Sequence, residues 1–294
     1  IILTGLVICL SASLAVARSG PPAYWIATLL GGAAAFILIC PVALWMSALF
    51  PVASDLSKTG GGGNPHPVPM ILGTLCTALF KRGLRQQFIQ NVHRLNPRLP
   101  NMVGEAYTLR YMPAREDLNT IDVFKNREHP QRKAVEECPP GAVLVIDCRG
   151  DARAASAGGI LVTRLMKRGV AGVVTDGGFR DSPDIAALPF PAGRQRPAPP
   201  TNLTLFQAID ISVPIGCGDA PVFPGDVIVG DAEGVIVLPA HLADELAAEA
   251  IEMTAFEDFV QERVMAGQST LGLYPPTDEA NKTAFDAWRK TNGR

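Results

Sequence analysis

Residues 158–184 read GGILVTRLMKRGVAGVVTDGGFRDSPD. A glycine pair opens a segment of helical apolar periodicity (158–168), a short apolar run suited to a buried strand follows (170–175), and a glycine turn then presents Arg180 and Asp181 side by side. Just upstream, AVLVID at 142–147 is a continuous apolar run of the kind expected of a strand buried on both faces. Strand, helix and strand in that order predict a parallel pair joined by a right-handed crossover, and so an α/β domain.

Working outward, residues 72–84 read as a helix, 103–111 as a strand and 132–137 as a short helix ending before Pro139 and Pro140. Downstream, 209–215, 227–229 and 235–238 read as short strands separated by Gly-Asp turns in PGDVIVGDAEGVIVLP, and 242–265 as a long amphipathic helix. The domain is mixed α/β with no internal repeat.

The composition changes before residue 70. Across residues 1–53 the sole charged residue is Arg18, and the runs 1–17 and 24–52 are each about long enough to cross a hydrocarbon core of roughly 30 Å. Trp25 and Trp45 stand near the ends of the second run like interfacial anchors, while Gly31, Gly32 and Pro41 would kink it. SASLAVA before Arg18 also suits a signal-peptide cleavage site, although no basic segment precedes it. Two membrane spans are the expectation, acting as an anchor because no charge is buried within them. A fusion or a gene-model error would produce the same segment. Residues 54–69, SDLSKTGGGGNPHPVP, form a Gly/Pro linker, so the α/β domain occupies 70–294. The expected location is a membrane anchor carrying a cytoplasmic catalytic domain if 1–53 spans a membrane, and the cytoplasm otherwise.

The net charge of −2 over 294 residues offers no basic face for nucleic acid. Six scattered cysteines without a CxxC pair argue against a disulfide scaffold or a structural zinc site. The four histidines, His66, His93, His129 and His241, have no metal-ligand spacing and read as structural or exposed.

The chemistry is therefore sought in the crossover. Asp181 follows Arg180 in a glycine-rich loop at the carboxyl end of a strand, where open α/β sheets place their ligands. A hard cation takes carboxylate and water oxygens, and Asp181 and Asp184 could share one. Gly158 and Gly159 leave free N–H groups at a helix start, suited to a substrate carboxylate. Each feature also has a plainer explanation. Arg-Asp pairs are common on surfaces, Asp184 suits the cap of a turn, and paired glycines serve tight packing. Their meeting on adjacent elements of one crossover favours a site. Arg149 and Asp151 could orient its loop, and Arg153 and Arg164 could pair with acidic neighbours or with a second substrate carboxylate, the first being the expectation.

Gly159, twenty residues, Arg180-Asp181, two more and Asp184 match the G-X20-R-D-X2-(E/D) pattern of RraA-like proteins, which the chain resembles from about residue 70 to its last long helix. That family includes the 4-hydroxy-4-methyl-2-oxoglutarate/4-carboxy-4-hydroxy-2-oxoadipate aldolases and the regulator of ribonuclease E activity. The resemblance implies a swivelling β/β/α-type domain, a homotrimer or homohexamer, and active sites between neighbouring subunits. It further implies that Asp181 holds a divalent metal, Mg²⁺ or Mn²⁺, mostly through waters. Arg180 would bond the keto oxygen of a small 2-oxo acid, and the N–H groups of Gly158, Gly159, Ile160 and Leu161 would receive its carboxylate. Where the aldolases carry an acidic residue, this chain has Gly159, which disfavours retro-aldol cleavage and leaves oxaloacetate decarboxylation, a reaction needing no hydroxyl proton removed. Asp184, or Glu116 and Asp117 from a neighbouring subunit, could replace that base. Two functions follow as expectations: a divalent-metal lyase, or a non-catalytic regulator binding a ribonuclease or another protein.

Overall fold

A computed structural model of the chain describes residues 71–294. The segments 1–53 and 54–69, read above as membrane anchor and linker, lie outside the described residues. Among the described residues no helix is long and apolar enough to cross a membrane.

In chain order, α1 (Leu72–Lys81) is followed by β1 (His93–Arg94), β2 (Met102–Pro113), α2 (Pro130–Glu137) and β3 (Val143–Asp147). The strand β4 (Ala155–Ala157) leads into α3 (Gly159–Lys167), and β5 (Gly172–Thr175) and β6 (Gly178–Phe179) lead into α4 (Ser182–Ala187). Then come β7 (Ala192–Arg194), β8 (Arg196–Pro197), β9 (Phe206–Ile211), β10 (Ile215–Cys217), β11 (Ala220–Val222), β12 (Val227–Gly230) and β13 (Val235–Leu238). Two helices, α5 (Ala243–Met265) and α6 (Glu279–Asn292), complete the chain.

The main sheet runs β1-β7-β5-β3-β2-β12-β13, with β9 paired to β2. Its centre is parallel, β2 to β3, β3 to β5 and β5 to β7, as the crossover reading expects. The flanks are antiparallel. Ahead of β1, Ile89 N donates to Val235 O and Val237 N to Gln87 O, so one length of chain bonds β13 and then, as β1, joins β7. The two edges of the sheet are thereby bridged, and it curls toward a barrel.

Strand periodicity divides the core in two. Leu144 and Ile146 of β3 and Val173 of β5 face a cluster completed by Ala134 and Val135 of α2 and Val162 and Leu165 of α3. Val143, Val145 and Val174 face the other way, into the curl, with Val222, Ile228, Val235 and Val237. Met102 is buried there, and a Cβ on Gly172 would fall 2.1 Å from its sulfur, so a side chain at that point of β5 requires Met102 to move.

The helices α1, α3 and α5 and the strands β2, β3, β5, β12 and β13 are present as expected apart from their exact ends, and the differences lie elsewhere. The strand read at 209–215 is two: β9 ends at Ile211, Ser212 takes a left-handed φ of 54°, and β10 begins at Ile215. The helix read at 132–137 starts earlier, because Pro130 fits its first turn. The strands β4, β6 and β8, the β10–β11 hairpin, and helices α4 and α6 were not expected. A short parallel sheet of β4, β6 and β8 matters most, because it carries the site.

Candidate functional site

The site grows from the end of β5. Asp176 is buried there and the chain continues into β6, whose Phe179 is fully buried between neighbouring strands. That anchor leaves the next side chain, Arg180, at the surface, with its backbone N–H bonded to Ala157 O at 3.2 Å. Asp181 then takes left-handed backbone angles (φ 58°, ψ 31°) as the N-cap of α4, a conformation uncommon outside glycine and concentrated at functional positions.

Asp181 does not cap its own helix with its side chain. Its Oδ2 accepts the Gly159 N–H at 3.0 Å, the first residue of the neighbouring helix α3, and lies 3.6 Å from Arg180 Nε. The Arg180 side chain lies so close over Gly158 that a Cβ there would come within 2.6 Å of Nε. The glycine pair and the Arg-Asp pair, twenty residues apart in sequence, are in direct contact. One part of the expectation is corrected: the Gly159 N–H serves Asp181 and is not free for substrate. Gly158, the N-cap of α3, has no side chain, and beyond the Gly159 N–H taken by Asp181 the N–H groups of Ile160 and Leu161 remain for an anion.

Arg180 and Asp181 open into a cleft of about 680 Å³. Ser182 and Arg194 are its other polar lining, while Leu95, Phe179 and a group of alanines and prolines form apolar walls. Asp184 is exposed in the first turn of α4, three residues after Asp181, and is not part of the cleft lining. Among the described residues no three His, Cys, Asp or Glu side chains are gathered for a metal. What the chain offers a divalent ion is Asp181, consistent with a site completed by water and substrate, since Mg²⁺ is commonly held by one or two carboxylates.

The other candidates lie outside this cleft. Arg153 pairs with Asp151 at 2.6 Å and Arg164 with Glu136 at 2.8 Å, as expected. Asp117 pairs with its neighbour Arg115 at 2.7 Å on an exposed loop beside exposed Glu116. His129 is buried edge-on to Phe124, and that burial pushes its pKa down. The described cysteines 76, 138, 148 and 217 are free thiols. Arg194 was missed, because its place in GRQRP gives no motif; the nearest signal is two arginines in a proline-rich loop without an acidic neighbour.

The family model RraA-like (Aldolase/RraA) matches residues 73–237. A Halalkalibacterium halodurans protein, provisionally named a 4-hydroxy-4-methyl-2-oxoglutarate aldolase, is 37% identical over 157 residues, covering 52% of this chain and 70% of that protein. A 4-hydroxy-4-methyl-2-oxoglutarate aldolase of Thermus thermophilus is 31% identical over 122 residues, covering 42% of this chain and 73% of that protein. Among solved structures, Streptomyces coelicolor RraAS2, described as an unusual member of the RNase ES inhibitor RraA family, aligns with a TM-score of 0.59 at 26% identity, covering 72% of this chain and 96% of that one.

Proposed function

The chain belongs to the RraA-like (Aldolase/RraA) family, and from that premise we propose that it is a divalent-metal-dependent lyase cleaving a carbon–carbon bond of small 2-oxo acids to release pyruvate. The observation that carries this is the contact of Arg180 and Asp181 with the start of α3 at the mouth of one cleft. A 2-oxo acid has two features to be recognised, a carboxylate and a keto oxygen. The open first turn of α3 suits the carboxylate, and the Arg180 guanidinium donates to the keto oxygen. When the bond beyond C3 breaks, its electron pair moves toward that oxygen as an enolate, and a fixed cation beside it lowers the barrier; removing one such group costs roughly 100- to 1000-fold in turnover. A divalent ion, which Asp181 would hold with water and substrate, supplies further positive charge for the same purpose, and Mg²⁺ or Mn²⁺ suits an oxygen-only donor set.

Gly159 decides between two reactions of this class. Retro-aldol cleavage needs a base for the 4-hydroxyl proton, and no carboxylate stands at position 159. Decarboxylation of oxaloacetate releases CO₂ and needs none. Decarboxylation is therefore the favoured reaction, carried out by a homotrimer or homohexamer as the family resemblance implies. The likeness to RraAS2 supports a second reading, a non-catalytic regulator that binds a ribonuclease or another protein.

The test is pyruvate release by the full chain from oxaloacetate and from 4-carboxy-4-hydroxy-2-oxoadipate, with Mg²⁺ or with chelator. Turnover that needs the metal and falls about 100-fold or more in Arg180→Ala and Asp181→Ala is expected. No turnover above the rate of free metal on either substrate would transfer the assignment to the regulator.

A further inference from the structure

Arg194 lines the same cleft as Arg180 and Asp181, and the lyase reading leaves it without a task. It ends β7, and its Nε donates to Ser182 Oγ at 3.1 Å, while Ser182 Oγ in turn donates to Phe179 O at 3.1 Å. The guanidinium is thus fixed one residue from Asp181. It has no carboxylate within ion-pair distance among the described residues, in contrast to Arg153, Arg164 and Arg180, which have Asp151, Glu136 and Asp181. Its near neighbour Arg196 differs again: Nε of that side chain bonds Ala152 O, and the residue is not part of the cleft lining. Half-burial without a counter-charge depresses the Arg194 pKa. A guanidinium held in that state beside apolar walls gains most from an anion brought by a ligand, and its planar fork matches a carboxylate. The cleft therefore holds two guanidinium groups and one carboxylate, a balance suited to a dianion.

We propose that Arg194 is a specificity-determining residue that pairs with a second carboxylate, distant from the keto acid end, and so selects 2-oxo diacids over 2-oxo monoacids. This rests on the reading of Arg180 and α3 as the holder of the 2-oxo acid end. In a retro-aldol substrate the distant carboxylate stays on the half that leaves; in oxaloacetate it is the carboxylate lost as CO₂, and its pairing with Arg194 ends as that bond breaks. Arg194 consequently acts on affinity and selection and donates to no atom of the enolate.

The test measures binding by calorimetry in Mg²⁺ buffer, using 2-oxoglutarate and 2-oxovalerate, two five-carbon 2-oxo acids differing in the second carboxylate. The wild-type chain is expected to bind 2-oxoglutarate about ten-fold or more tightly, the worth of one charge-assisted pair. Arg194→Gln should erase that ratio with 2-oxovalerate affinity unchanged, and Arg194→Lys should restore part of it. A wild-type ratio near one, a ratio that survives in Arg194→Gln, or equal loss of both ligands would overturn the proposal, the last because it marks a packing role through Ser182. Absence of pyruvate release from every substrate, with the ratio intact and lost in Arg194→Gln, would remove the lyase reading and leave Arg194 as a diacid-binding residue.

Discussion

Gly158 and Gly159 are adjacent in sequence, yet the site tolerates a side chain at only one of them. A Cβ at Gly158 would lie 2.6 Å from Nε and 2.8 Å from Cγ of Arg180. Gly158→Ala is therefore expected to push Arg180 out of place and lower turnover by about 100-fold, the cost of losing a charge-stabilising group, while circular dichroism shows the fold retained. At Gly159 the nearest atom would be Asp181 Cβ at 3.4 Å, an ordinary contact. Gly159→Asp is expected to fold and to place a second carboxylate beside Asp181. On the proposed chemistry it raises the ratio of retro-aldol cleavage to oxaloacetate decarboxylation. Product analysis of both substrates checks this, and an unchanged ratio would show that a carboxylate at 159 does not serve as the missing base.

The run PGDVIVGDAEGVIVLP forms β12, β13 and the turns around them, and its aspartates work as caps for neighbouring elements. Asp226 accepts the N–H groups of Phe223 at 2.9 Å and Ala240 at 3.2 Å. Asp231, fully buried, accepts those of Ile71 and Leu72 at 2.9 and 3.0 Å, and so clips the start of α1 to the β12–β13 turn. Backbone donors at a helix start that lose a charged partner in the interior are left unsatisfied. Asp231→Ala is expected to destabilise the fold by about 3 kcal/mol, seen as a lowered urea midpoint, with the substrate KM unchanged. The Gly-Asp turns are recognisable in sequence, but their long-range partners, more than 150 residues away for Asp231, are not.

Asp176 ties together loops from opposite parts of the domain. Its carboxylate accepts N–H groups from Cys148 and Gly150 after β3, at 2.6 and 2.8 Å, and from Gly218 in the β10–β11 turn at 3.3 Å. Burial pushes its pKa from 3.8 up to about 6; the bonded N–H groups pull the other way, and the nearby Asp147 charge adds to the rise. The folded pKa is thus above that of the unfolded chain, and the folded state keeps the proton longer. The stability it contributes is complete below about pH 4 and is lost as pH rises through about 6, a change of up to about 3 kcal/mol. Urea midpoints between pH 4 and pH 7 should fall with rising pH in the wild-type chain. Asp176→Asn should flatten that slope, and an unchanged slope would assign the pH dependence to other groups.

Much of this protein was determined by local sequence. Hydrophobic periodicity was enough for β3, α3 and β5, because each buries its apolar residues at the spacing its own backbone imposes. Arg180 and Asp181 could be picked out because they follow that crossover directly. Other features depend on chain distant in sequence. Gly159 meets Asp181 only because β4 and β6 pair; Asp184 is left outside the cleft by the direction of α4; Arg194 enters it because β7 lies beside β5. Short strands such as β4, β6 and β8 carry too few residues for periodicity to mark them, and α6 is set by Phe256 and Phe259 of α5 packing on Phe285. Local sequence determined the elements long enough to show a period, since a residue's spacing fixes the face it buries. The tertiary structure alone decided which polar groups share the cleft, since that depends on strand pairing between residues remote along the chain.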